Sequence, residues 1–220
     1  MDDVVMTEGD YRVTFMEHPD PQSPRWEDVT VGTMVCSRRR YDLGDEHTGV
    51  AGQAYDWLKA EGLRAMLTWL SEAHGVTVAL PLYLYDRSGL TMRAGANLYG
   101  PWAAPTLDWD TSMVGVIFAT ARELEGAGIL GDPEEILRAE VAEYAAYLEG
   151  DMYVLQLEQR AWDKATITRT MPGGETVTWT EDIERWLPYP DSTISVTGYG
   201  NIAETAADML AEFTSSEGAP

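Results

Sequence analysis

The chain has 220 residues, 45% of them apolar, and sets 37 acidic side chains against 15 basic ones for a net charge of −22. That is enough apolar material to bury a core without disulfides or metal staples, and a single cysteine, Cys36, excludes an intrachain disulfide and points to a reducing, cytoplasmic setting. The carboxylate excess argues against direct binding of nucleic acid, which needs clustered Lys and Arg, and against an anionic membrane surface.

Residues 1–10 read as a flexible acidic lead without the apolar stretch of a signal peptide. Residues 11–16 alternate and predict a strand. Three prolines break the loop at 19–24, and a second strand is expected over 31–36. A polar loop then runs to His47. Leu63, Met66, Leu67 and Leu70 share one helical face, so a helix is expected over 51–74. Gly62 divides it into two shorter ones if it breaks.

The clearest strand lies over 76–85, with Pro81 suggesting a bulge or an edge position. Asp86 to Gly89 forms a turn into 90–93, a hairpin. A loop over 94–110, rich in Gly, Pro and Trp and carrying Trp102 and Trp109, precedes a buried strand over 112–119. A short helix is expected at 120–126. Asp132, Pro133 and Glu135 open another, which Gly150 closes. Strands follow at 152–158, 165–170, 175–179 and 193–197, with 180–191 irregular. Asn201 caps a last helix, and the tail from 215 is frayed. No run of 18 apolar residues exists, so no membrane-spanning helix is expected.

Strands in runs with helices between them predict an α+β fold, a mainly antiparallel or mixed sheet packed with about three helices in one domain over 11–214. Residues 1–122 carry 17 acids and 10 bases, a net of −7, while 123–217 carry 20 and 5, a net of −15. The acidity is therefore expected mainly in the second half.

The densest chemistry lies in 36–47. Asp45 and His47, with Asp86 across the hairpin, are the candidates for catalysis. Arg38, Arg39, Arg40, Tyr41, Asp45, Glu46, His47, Asp86 and Ser88 are the candidates for binding. Each has a plainer reading: short polar loops use Asp to cap turns, and the acids can pair with the arginines. Cys36 ends an apolar strand, where a free thiol usually serves as a small hydrophobe. Gly198-Tyr199-Gly200-Asn201-Ile202-Ala203 matches a dinucleotide fingerprint, but too little chain follows for the rest of that unit. No metal-ligand spacing is present and no cofactor is implied. Glu134, Glu135, Glu140, Glu143, Glu149 and Asp151 form an expected acidic face on the 133–149 helix. That face is either simply solvated or a phosphate-like array offered to a basic groove.

Three blocks carry a family resemblance. Gly32-Thr33-Met34-Val35-Cys36 runs on to Arg39-Arg40-Tyr41 and Leu43-Gly44-Asp45-Glu46-His47. Leu80-Pro81-Leu82-Tyr83-Leu84-Tyr85-Asp86 with Ser88-Gly89, and Tyr147-Leu148-x-Gly150-Asp151-x-Tyr153, follow in the same order. Together they resemble a family of uncharacterised bacteriophage and mobile-element proteins. The resemblance implies a phage-encoded accessory protein and transfers no catalytic residue.

The leading expectation is thus a protein that binds and modulates a host or defence protein with a basic surface, with acidic mimicry of DNA as one means. One alternative is a small hydrolase acting on a nucleotide or small molecule through the 36–47 loop and Asp86. The other is a structural or salt-adapted protein. The balance leans away from an enzyme, and the oligomeric state is open.

Overall fold

The structure is a computed structural model that describes residues 3–26, 30–38, 40–86, 89–100, 111–128 and 131–217, without the side chains of 216 and 217. Its strands are β1 (Asp3–Glu8), β2 (Tyr11–Glu17), β3 (Thr33–Cys36), β4 (Val76–Asp86), β5 (Leu90–Ala94), β6 (Thr111–Thr120), β7 (Met152–Thr170) and β8 (Thr176–Thr197). Its helices are α1 (Gly49–Ala60), α2 (Leu63–His74), α3 (Ala121–Gly126), α4 (Pro133–Glu149) and α5 (Ile202–Glu217), with 3-10 turns at Pro24–Trp26 and Tyr199–Asn201. The fold is α+β, with two antiparallel sheets.

Within the span read as one domain over 11–214, the chain divides into two compact units, Asp20–Asp151 and a second built from Met1–Pro19 with Met152–Pro220. The lead expected to be loose instead holds β1, paired to β2 from Asp3↔Phe15 to Glu8↔Tyr11. Each unit carries a net charge of −11: 21 acids against 10 bases in the first, 16 against 5 in the second. The unevenness along the chain vanishes because the second unit is assembled from both ends of the sequence.

In the Asp20–Asp151 unit the strand order is β3-β6-β4-β5. Both faces are covered, and strand alternation feeds two cores. Leu80, Leu82, Leu84 and Ile117 pack with Leu137, Val141 and Tyr144 of α4. Ala79, Val116 and Phe118 pack with Ala54 of α1 and Met66 and Leu70 of α2. Gly62, at φ 85°, divides the expected long helix into two. Pro81 lies on a central strand rather than an edge. It is tolerated because the β5 ladder stops opposite Leu82 and the chain leaves through Gly95, whose N–H donates to the Pro81 carbonyl (2.8 Å). Of the loop at 94–110, Trp102 and Trp109 lie outside the described residues.

In the other unit the order is β1-β2-β7-β8. Tyr11, Val13, Leu155 and Leu157 form one apolar face against Ile202, Ala206, Met209 and Leu210 of α5. The stretch 180–191, expected to be irregular, belongs to β8. Two prolines fit there because β8 is an edge strand. Its ladder jumps from Gln156↔Thr193 to Glu158↔Pro188, and the extra residues are held by Ser192, whose hydroxyl donates to the Tyr189 carbonyl (2.7 Å). The tail expected to fray from 215 remains helical to Glu217.

Candidate functional site

The loop after β3 folds back on its own strand. Asp45 N–H donates to the Met34 carbonyl (2.9 Å), and Gly44 bridges Val35. Gly44 sits at φ 80°, and a Cβ there would meet the Met34 carbonyl oxygen at 2.6 Å, so only glycine fits.

The carboxylate this turn delivers is claimed by Arg25, a residue the sequence did not single out. Its Nε and Nη2 hold Asp45 in a fork, at 2.7 and 3.0 Å. Nη1 donates to Glu140 Oε2 at 2.8 Å, and Nη2 also donates to the Gly32 carbonyl. Asp45 Oδ2 accepts the Met34 N–H at 2.8 Å. Glu140 Oε1 accepts the N–H groups of Val31 and Gly32 at 2.7 and 3.1 Å. The Arg25 side chain is only 1% exposed. Burial works to lower its pKa, and the hydrogen bonds and charges of Asp45 and Glu140 outweigh that and raise it. The clamp thus sets one guanidinium between two carboxylates, a net of −1, with the remaining carboxylate lone pairs satisfied by backbone N–H groups.

Cys36 lies in the core beneath α4. Burial, with the charge of Asp45, pushes its thiol up to about 12 against a smaller lowering by Arg25. It is therefore protonated at neutral pH, as expected of a buried structural cysteine. His47 stacks on Tyr55 with centroids 3.8 Å apart.

Asp86 belongs to a separate cluster. Tyr41 donates its hydroxyl to Asp86 Oδ1 (3.0 Å). Arg38 and Arg40 stand 3.7 and 3.9 Å from Oδ2, and Arg38 also donates to Ser112. The three candidates for catalysis are therefore not assembled into one centre. Asp45 and His47 border a common cavity from which Asp86 is absent. Among the described residues no group of three or more His, Cys, Asp or Glu is placed to hold a metal. Arg39 and Ser88 lie outside the described residues.

That cavity, of about 550 Å³, is bounded by residues 41–48, Trp26, Leu90 and the Tyr144–Leu148 end of α4. Its walls are aromatic: Trp26 is 67% exposed, Tyr41 is half-buried, and Tyr144 and Tyr147 stack with centroids 5.9 Å apart. Tyr144 is fixed from below, accepting the Gly44 N–H at 3.0 Å. Asp42 and Glu46 line the cavity and are exposed. Neither side-chain carboxylate makes a hydrogen bond or ion pair with another described residue, in contrast to that of Asp45; the Glu46 backbone carbonyl accepts the Thr48 N–H at 2.7 Å. A second cavity of about 470 Å³, along α2 with Leu98 and Tyr99, contains none of the candidates.

The acidic face expected on α4 is shorter than the sequence suggests. Glu140 turns inward to Arg25, and Glu134 pairs with Arg138 at 3.4 Å. Glu135, Glu143 and Glu149 remain exposed, and Asp151 is half-buried beyond the helix end. A stripe that was not foreseen lies on α5, where Glu204, Asp208 and Glu212 are exposed at steps of about 6 Å along the axis. Their i, i+4, i+8 spacing is visible in the sequence beside the apolar stripe of the same helix.

No family model, curated protein or solved structure matches the chain. Among the described residues no helix is long and apolar enough to cross a membrane.

Proposed function

We propose that the protein is a binding protein that engages a basic protein partner by admitting a Lys or Arg side chain to the cavity beside residues 41–48. The observation that carries this reading is the pairing of aromatic walls with two uncompensated carboxylates, Asp42 and Glu46, in one cavity. Aromatic faces attract a cation by about 0.5–1 kcal/mol each at exposed sites and more when water is excluded. The adjacent carboxylates add charge complementarity and steering, which the net charge of −22 extends over the whole surface. Read with the resemblance to phage and mobile-element proteins, the partner is a host or defence protein met in the cytoplasm. Mimicry of DNA by α4 is the less supported form of the proposal, since Glu140 and Glu134 are committed elsewhere.

Calorimetric titration with arginine-rich and lysine-rich peptides, at low and at high salt, tests it. Binding at low salt that weakens steeply with added salt is expected. An absence of binding at low salt, or equal binding of an acidic control peptide, contradicts the proposal.

A further inference from the structure

β2 follows β7 only as far as Tyr11↔Gln159. Beyond that point β7 and β8 continue alone as a two-stranded arm, from Arg160↔Trp186 to Thr170↔Thr176, and Met171 N–H extends the ladder to the Glu175 carbonyl at 2.8 Å. An isolated hairpin of this kind is marginal in water, and this one is about 35 Å long at the usual rise per residue.

Strand alternation gives the arm two unlike faces. One carries three Thr–Thr cross-strand pairs, 166/180, 168/178 and 170/176, and nearer the base Trp162, which is 62% exposed; the Thr168 and Thr178 hydroxyls are 3.3 Å apart. The other continues, along β7, the face that α5 covers nearer the base of the sheet. Beside Ala161, Ala165, Ile167, Val177, Trp179 and Ile183 it carries Asp163, Arg169, Glu181 and Arg185, of which Asp163 and Arg185 pair with each other at 3.1 Å. Val177, Trp179 and Ile183 are 43, 40 and 37% exposed, and Met171 at the tip is 46% exposed. The arm, residues 160–186, holds five acids and four bases for a net of −1, so the remaining chain carries −21. A second copy packing along the arm therefore meets little net repulsion from the arm itself.

We infer that the apolar face of the arm is a self-association surface, on which the same face of a second copy packs with the two arms antiparallel. Symmetry selects the register, because a two-fold contact places each residue pair twice. An axis lying in the interface and crossing the arm at Thr166 and Thr180 sets like strands against each other in opposite directions. Arg169 then opposes Asp163 of the second copy, and Arg185 opposes its Glu175. Val177 opposes Ile183, Ile167 opposes Ala165 and Met171 opposes Ala161. Trp179 over Glu181 is the single apolar–polar pairing. Moving the axis one residue toward the base sets Glu181 on its own copy and Ile167 on Asp163. Moving it one residue toward the tip sets Met171 on Asp163 and Val177 on Glu181. Only the first register matches both charge and apolarity.

Sedimentation of the full chain over a concentration series, combined with disulfide trapping, tests the inference. Dimer is expected to grow with concentration, and Trp179→Asp to lower the dimer fraction at least tenfold while leaving the melting curve unchanged. A Val177→Cys chain mixed with an Ile183→Cys chain under mild oxidant is expected to cross-link at least tenfold faster than either chain alone. Cys36 is buried and does not compete. A monomer at every concentration, or Val177→Cys cross-linking to itself as fast as to the mixed partner, overturns the inference.

Discussion

The two sheets have the same number of strands and are both antiparallel, yet they solve opposite problems. The sheet of the Asp20–Asp151 unit is covered on both faces, and its one buried charge, Arg25, is matched to Asp45 and Glu140 and to backbone groups on all sides. The sheet of the other unit is covered near α5 and then continues into an arm with both faces bare. In the first, polar residues that look reactive have been drawn inside to hold the fold. In the second, apolar residues that look like core stand in solvent. The contrast teaches that residue type alone misleads in both directions, and that satisfaction of each polar or apolar group by its neighbours is the better guide to role.

The largest effect that would break this contrast is at Arg25. Arg25→Met leaves two half-buried carboxylates without their cation and is expected to cost about 3 kcal/mol, measured by urea unfolding. A loss below about 1 kcal/mol would mean that the clamp is ornamental and that Asp45 is available for other work. Gly115→Ala is next. A Cβ there would lie 2.0 Å from the Val35 carbonyl oxygen, so β3 must move, at a cost of about 1–3 kcal/mol by the same measurement.

Alkaline unfolding sharpens the picture of the clamp's surroundings. The Cys36 thiol is raised from 9.0 to about 12 by burial, and the Tyr144 hydroxyl from 10.0 to about 12, also by burial. Both groups ionise more readily in the unfolded chain. Stability is therefore intact below pH 9 and falls as the pH rises toward 12. Cys36→Ala is expected to flatten the early part of that fall, read from thermal melts across the range. The smallest effect belongs to the arm: Thr168→Val with Thr178→Val is expected to change stability by no more than about 0.5 kcal/mol, because neither residue supports a core.

Much of the fold was legible in the sequence. The helix at 133–149 announced itself through Asp132 and Pro133, and Asp132 does accept the Glu134 N–H. The buried strands at 76–86 and 111–120 stood out as apolar runs. The two-unit organisation was not legible, because it depends on pairing Tyr11 with Gln159, 148 residues apart. The arm was hidden for a different reason. Its alternation is diluted by Thr and by charge, and prolines at 188 and 190 read locally as a break.

At the site, the loop was found and its meaning was not. Asp45 and Glu140 were both singled out, one as a catalytic candidate and one as a surface acid. Nothing local reveals that they share Arg25, which lies 20 and 115 residues away from them. The attachment of the loop to Asp86 through Tyr41 was closer to the surface of the sequence, since Tyr and Arg beside an acidic turn invite such contacts.

The central claim is that Asp42 and Glu46 serve recognition where Asp45 serves the fold. Its most direct test is the affinity of an arginine-rich peptide for the Asp42→Asn/Glu46→Gln double variant, measured calorimetrically at low salt beside the unaltered protein. The account predicts a loss of at least tenfold, about 1.4 kcal/mol, with an unchanged melting temperature. Undiminished affinity would contradict it.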